Sequence, residues 1–182
     1  ANDTLIKKYN YNNELIWSKS YSGSGIDYLY DVEMISDGYI IVGYTESFDI
    51  DGVSNSGKKD AYIIKIDFKG ELIWKKTFGG TLDEIFYDIE VLNDGSYVAV
   101  GYSSSKDFEN VDLGEFEDGL IVRYDTNGNV INTDFLTGND FDVFRGISAT
   151  KDGGYIVVGT TLSTDLEFTA GRMGDGIIYK YN

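Results

Sequence analysis

An all-β fold follows from three observations. The stretch Asp60 to Ser105 occurs nearly whole three times, each copy holds four strand-like runs, and no segment shows a capped helical period. Asp3, Asp60, Asp118 and Asp175 each open an apolar run, with Lys8, Lys65, Arg123 and Lys180 five residues later. Trp17 and Trp74 match, and Asn132 takes their place in the third copy. The pairs Asp37-Gly38, Asp94-Gly95 and Asp152-Gly153 recur, as do Gly43, Gly101 and Gly159, at a spacing of 57 or 58 residues. The copies span 3–59, 60–117 and 118–174, with a surplus strand at 175–182, in one domain over 1–182.

The first pair of strands in each unit is Thr4–Tyr9 with Leu15–Tyr21, then Ala61–Ile66 with Leu72–Phe78, then Leu120–Tyr124 with Val130–Leu136. Four-residue connections ending in Asn13, Gly70 and Gly128 suit tight hairpins, because Asn and Gly tolerate positive φ. The second pair is Asp31–Ile35 with Tyr39–Thr45, Asp88–Leu92 with Tyr97–Ser103, and Ile147–Thr150 with Tyr155–Thr161. Each is joined through Asp-Gly, a strong hairpin signal. The runs YIIVG, YVAVG and YIVVG are apolar without alternation, which predicts strands covered on both faces. The surplus strand is Ile177–Tyr181, so the chain begins and ends on one strand type.

Two loops in each unit lie between these runs. The first is at 22–27, 79–84 and 137–142. The second is long: Phe48–Lys59, Lys106–Glu117 and Ser163–Gly174. The long loops read as different in each copy, and residues that break a repeat are freer to form a site.

Composition removes several function classes. The chain has no Cys, no His and no Pro. Catalysis by Cys or His and metal ligation by either are therefore excluded. The net charge of −16 disfavours nucleic acid and anionic membrane surfaces, and favours cations or basic partners. No apolar run reaches the roughly 20 residues of a spanning helix, and no signal-peptide pattern is present.

The segment DAYIIKID at 60–67, with Trp74, Phe78-Gly79-Gly80, Asp152-Gly153-Gly154-Tyr155 and Val158-Gly159, resembles a known bacterial repeat. It is similar to the seven-bladed β-propeller-type repeat of secreted and surface proteins, the SBBP repeat. The resemblance spans essentially the whole chain. It implies four-stranded β-propeller-type blades and an extracellular or cell-surface bacterial setting, and it carries no catalytic residues. Three units make a half or partial propeller, where the family has more. Such a piece belongs to a longer array, or completes a ring as a homodimer. The alternative architecture is a closed threefold fold, a β-trefoil or β-prism.

The recurring Asp60 and Lys65 read as structural. The Asp satisfies backbone donors at a strand entrance, and the Lys or Arg pairs with a carboxylate, for which Asp27, Glu84 and Asp142 are the candidates. Trp17 and Trp74 pack between units. The long loops supply the binding candidates: Asp49, Asp51, Asp107, Glu109, Asp112, Asp165 and Glu167. Within them Asp49-Ile50-Asp51-Gly52 resembles the start of a calcium loop, and Asp107 and Asp112 are the further candidate calcium ligands. The third alternate acid and the terminal Glu of an EF-hand are missing. No Gly-rich phosphate loop is present.

The expected function is therefore non-enzymatic: an extracellular scaffold that binds a protein or glycan through acidic loops. The alternative is a carbohydrate-active enzyme, a glycosidase or lyase working through paired carboxylates.

Overall fold

A computed structural model describes residues 4–50, 52–108, 111, 113, 115–166 and 174–182. Among these residues thirteen strands form four antiparallel sheets, and there is no helix. The first sheet pairs β1 (Leu5–Tyr9) with β2 (Leu15–Ser20). The second runs in order β3 (Asp27–Ile35), β4 (Gly38–Thr45), β5 (Asp60–Asp67), β6 (Leu72–Phe78). The third repeats that meander with β7 (Glu84–Val91), β8 (Tyr97–Ser103), β9 (Asp118–Tyr124) and β10 (Val130–Leu136). The fourth has three strands, β11 (Asp142–Ala149), β12 (Tyr155–Thr161) and β13 (Asp175–Tyr181).

The sheets are offset by half a unit from the sequence repeat. Each four-stranded sheet takes two strands from the end of one copy and two from the start of the next. The copies at 3–59, 60–117 and 118–174 are periods of the sequence that straddle two sheets. No sheet closes into a barrel among the described residues. Each of the three apolar cores joins two consecutive sheets, with no common threefold centre.

This serial stacking explains the unalternating strands. In β5, Ala61 and Ile63 face the third sheet, while Tyr62, Ile64 and Ile66 face the first. All five are fully buried. In β9, Leu120, Val122 and Tyr124 face back to the second sheet and Ile121 faces forward to the fourth. Strands sandwiched between two neighbours have no polar face to show. The third YIVVG run, in β12, is covered on one face only, and its Val158 is 41% exposed.

The inner strands begin earlier than the apolar pattern predicts, at Asp27, Glu84 and Asp142. A β-bulge interrupts each, between Leu29 and Asp31, Phe86 and Asp88, and Phe144 and Gly146. The extra residue shifts the period of two, so the sequence pattern breaks there. The bulge also accounts for a recurring glycine. A Cβ on Gly101 would sit 1.7 Å from the Ile85 carbonyl oxygen.

The outer strands lock each sheet to the next. Trp17 Nε1 donates to the Phe68 carbonyl (3.1 Å) and its ring lies on Gly70; Trp74 Nε1 donates to the Thr126 carbonyl (3.3 Å) and lies on Gly128. Gly70 and Gly128 sit at φ 77° and 78°, where a side chain would be strained and would strike the indole. Asn132 meets no such turn, and its side chain bonds Asp134 instead (2.8 Å).

Candidate binding surface

The acids singled out from the sequence are first placed by their loops. Asp49 Oδ1 accepts the Ser24 N–H (2.7 Å), Asp107 Oδ1 accepts the Thr81 N–H (3.0 Å), and Asp165 Oδ1 accepts the Asn139 N–H (3.0 Å). Two residues before each stands a buried serine. Its hydroxyl accepts the next backbone donor in the same loop: Ser47 from Gly25 (2.9 Å), Ser105 from Leu82 (2.7 Å), Ser163 from Asp140 (3.0 Å). A buried acid completes each clamp. Ser47 donates to Asp27 (3.0 Å), Ser163 donates to Asp142 (2.9 Å), and Glu84 accepts from the Ser103 hydroxyl (2.6 Å) and the Gly80 N–H (2.7 Å).

The long loops therefore do repeat, in the pattern Ser or Thr, any residue, Ser, any residue, Asp: Thr45 to Asp49, Ser103 to Asp107, Thr161 to Asp165. Variable residues between these positions hide it. The backbone donors hold the Asp49 and Asp107 carboxyls below their ordinary range, while burial pushes those of Glu84 and Asp142 up. Asp49, Asp107 and Asp165 serve three separate clamps. Asp51, Glu109, Asp112 and Glu167 lie outside the described residues. Among the described residues no three acids converge as a metal site would require.

Two further sequence readings divide. Asp60 does accept backbone donors at a strand entrance, from Ser56 (2.8 Å) and Gly57 (3.1 Å). The partners expected for Lys65, Arg123 and Lys180 are wrong. Asp27, Glu84 and Asp142 are taken up by the clamps, and the cations pair instead with the Asp-Gly turns. Lys65 meets Asp37 (3.0 Å), Arg123 meets Asp94 (2.6 Å) and Lys180 meets Asp152 (2.7 Å). The turn acid lies beside them because each hairpin folds its tip onto the neighbouring strand of the same sheet.

The surface that breaks the repeat is elsewhere, on the inner strands. The bulge places Tyr30, Tyr87 and Arg145 at equivalent positions of β3, β7 and β11. Tyr30 and Tyr87 rings are 5.1 Å apart, and the Arg145 guanidinium lies 4.1 Å from the Tyr87 centroid. Tyr28 stacks on Tyr44 (5.5 Å) and on Tyr30 (6.5 Å), and Tyr102 adjoins Tyr87 (6.1 Å). Tyr28 and Tyr30 are 44% and 47% exposed. Lys59 reaches over Tyr44 (5.5 Å) while paired with Asp83 (3.1 Å). Its counterpart in the next unit is Glu117.

Burial keeps the Tyr30, Tyr44 and Tyr102 phenols neutral. Burial, then Tyr30 and Glu46, push Tyr44 up to about 12. Burial raises Tyr30 and Tyr102 as well. Tyr28 and Tyr30, the exposed members, present apolar faces with hydroxyls that both donate and accept.

Beneath them lies a pair of carboxyls. Asp31 accepts the Ile89 N–H of the next sheet (3.1 Å), and Asp88 accepts the Ile147 N–H of the sheet after (2.8 Å). Burial first, and the neighbouring Asp31 carboxyl second, raise Asp88 to about 6. The recurrence of Tyr at 30 and 87, with a cation at 145, is the signal of this surface in the sequence.

No family model and no curated protein matches the sequence. Among solved structures, the chain is similar to a protein of unknown function from Bacteroides caccae, with a TM-score of 0.51 and 14% identity. The match covers 84% of this chain and 45% of that one, so this chain spans less than half the length of that neighbour. A likeness at this identity concerns the fold alone. No helix among the described residues is long and apolar enough to cross a membrane.

Proposed function

We propose that the chain is a non-enzymatic binding module of β-propeller-type blades, exposed outside a bacterial cell, that takes a glycan across its tyrosine-lined inner strands. The adjoining series Tyr30, Tyr87, Arg145 carries this reading. Neutral phenols on flat ring faces suit the apolar faces and hydroxyls of a sugar. Lys59, Asp83 and Arg145 add polar groups at the rim. The blade arrangement is supported by the successive four-stranded meanders, and the extracellular setting by the resemblance of the repeat.

The enzymatic alternative would draw on the same rings and on Asp31 with Asp88. Glycosidase carboxyls stand about 5 to 9.5 Å apart, to admit a sugar carbon or a water. Asp31 and Asp88 are each engaged by a backbone N–H of the following sheet, Ile89 and Ile147, which favours binding over bond cleavage.

The test is calorimetric titration with a panel of soluble polysaccharides, for the native chain and for Tyr30→Ala with Tyr87→Ala. At least one glycan binds the native chain, and the double substitution weakens it about tenfold, the equivalent of roughly 1.4 kcal/mol. A panel with no binder, or a binder indifferent to both substitutions, removes the reading.

A further inference from the structure

Resting on the glycan reading above, we infer that the glycan carries a carboxylate, as a uronic or other acid sugar does, and that Arg145 receives it. Tyr44, Tyr30 and Tyr87 adjoin in that order, with centroids 6.2 and 5.1 Å apart. A cation lies over each end of this row. The Lys59 ammonium is 5.5 Å from the Tyr44 centroid, and the Arg145 guanidinium is 4.1 Å from that of Tyr87. Tyr30, the exposed middle ring, thus stands between two positive groups.

The two cations differ. Lys59 is neutralised by Asp83 at 3.1 Å. Arg145 is exposed and makes no ion pair among the described residues, whereas Arg123 is paired with Asp94 at 2.6 Å. A guanidinium with a ring against its face keeps the N–H donors of its edge for a planar acid, which they grip in a fork of two parallel bonds. The sequence also removes the acid nearest to it. β3 and β7 carry Tyr30-Asp31 and Tyr87-Asp88 at their bulges, and β11 carries Arg145-Gly146. At one place in the repeat the third copy therefore gains a positive charge and loses a negative one. Asp31 and Asp88 are themselves taken by the N–H groups of Ile89 and Ile147. Packing demands shared by every copy do not account for an arginine that only one copy has.

The field of both cations reaches the Tyr30 hydroxyl. Burial first, and the Tyr87 phenol next, push that group up, while Lys59 and Arg145 pull it down. The hydroxyl stays protonated, so it can donate to an acid oxygen or accept from a sugar hydroxyl beside it. The net charge of −16 opposes a polyanion at long range. At physiological salt the Debye length is about 8 Å, so distant acids are screened while a carboxylate touching Arg145 is not. The placement of one guanidinium, rather than the field of the whole chain, then selects the ligand. A hydrogen bond to a charged group changes affinity by about tenfold or more.

The test compares oligosaccharides of polygalacturonate, alginate and hyaluronan with their carboxyl-reduced forms, by calorimetric titration in about 0.15 M salt. The native chain is expected to bind at least one acid form about tenfold more tightly than its reduced form. In Arg145→Gln the ratio of the two affinities is expected to fall toward one, with the thermal melt preserved. Arg145→Lys, which keeps the charge without the fork, is expected to retain part of the preference. Equal binding of acid and reduced forms by the native chain overturns the inference and leaves the glycan reading standing. A preference for the acid form that survives Arg145→Gln does the same. So do acid forms that fail while neutral polysaccharides bind through Tyr30 and Tyr87. A chain that binds no glycan of either kind removes both.

Discussion

Asp31 and Asp88 each reach into the following sheet: Asp31 accepts the backbone N–H of Ile89 (3.1 Å), and Asp88 accepts that of Ile147 (2.8 Å). These two side chains thus tie three sheets at their bulges. Gly146 occupies the equivalent place in β11, so the series of acids stops there.

A pH dependence follows. Asp88 is raised from 3.8 to about 6, so the folded chain keeps a proton that the unfolded chain releases near 4. This group's stabilisation is complete below about pH 4 and is lost as the pH rises through about 6. Discounted for its partial exposure, the effect is about 1 kcal/mol. The melting temperature is expected to fall across that window, and Asp88→Asn to flatten the fall. Parallel profiles for the two proteins would remove Asp88 as the cause.

The clamps are the next point of test. Ser105 is 1% exposed and accepts the Leu82 N–H while its own N–H reaches Glu84. Ser105→Ala strands a backbone donor beside a buried acid, at a cost of about 1–3 kcal/mol. Denaturant titration should show the midpoint lowered with the slope unchanged.

Gly101→Ala tests the bulge. The added methyl would meet the Ile85 carbonyl oxygen at 1.7 Å, and a backbone atom cannot rotate aside. Destabilisation at or above the roughly 1–3 kcal/mol of ordinary overpacking is expected in the same titration. An unchanged midpoint would mean that the inner strand slips freely at the bulge.

Calcium gives a fourth prediction. Asp49, Asp107 and Asp165 already serve backbone donors in separate loops. Melting in millimolar calcium is therefore expected to match that in chelator at equal ionic strength. A rise of several degrees would return calcium to the long loops.

What the sequence made legible was periodic. Strand identities, Asp-Gly hairpins and two-faced burial all recur, and each copy must satisfy the same packing. The division into sheets was not legible, because both hairpins of a unit look alike as hairpins and nothing local says which one joins the next unit's strands. The clamp motif was obscured by its neighbours: Glu46, Ser104 and Leu162 share no chemistry, yet each sits between two residues with one task. The tyrosine surface was missed for a physical reason as well. Strand aromatics ordinarily fill cores, whereas Tyr28 and Tyr30 are 44% and 47% exposed.

Because every apolar core belongs to a pair of adjacent sheets, the molecule has a length but no hub. Unfolding can then proceed from either end like fraying, one contact at a time, without first breaking the middle. Amide exchange would map this directly as a gradient: slowest in β5, β8 and β9, which are enclosed on both sides, and fastest in β1, β2 and β13.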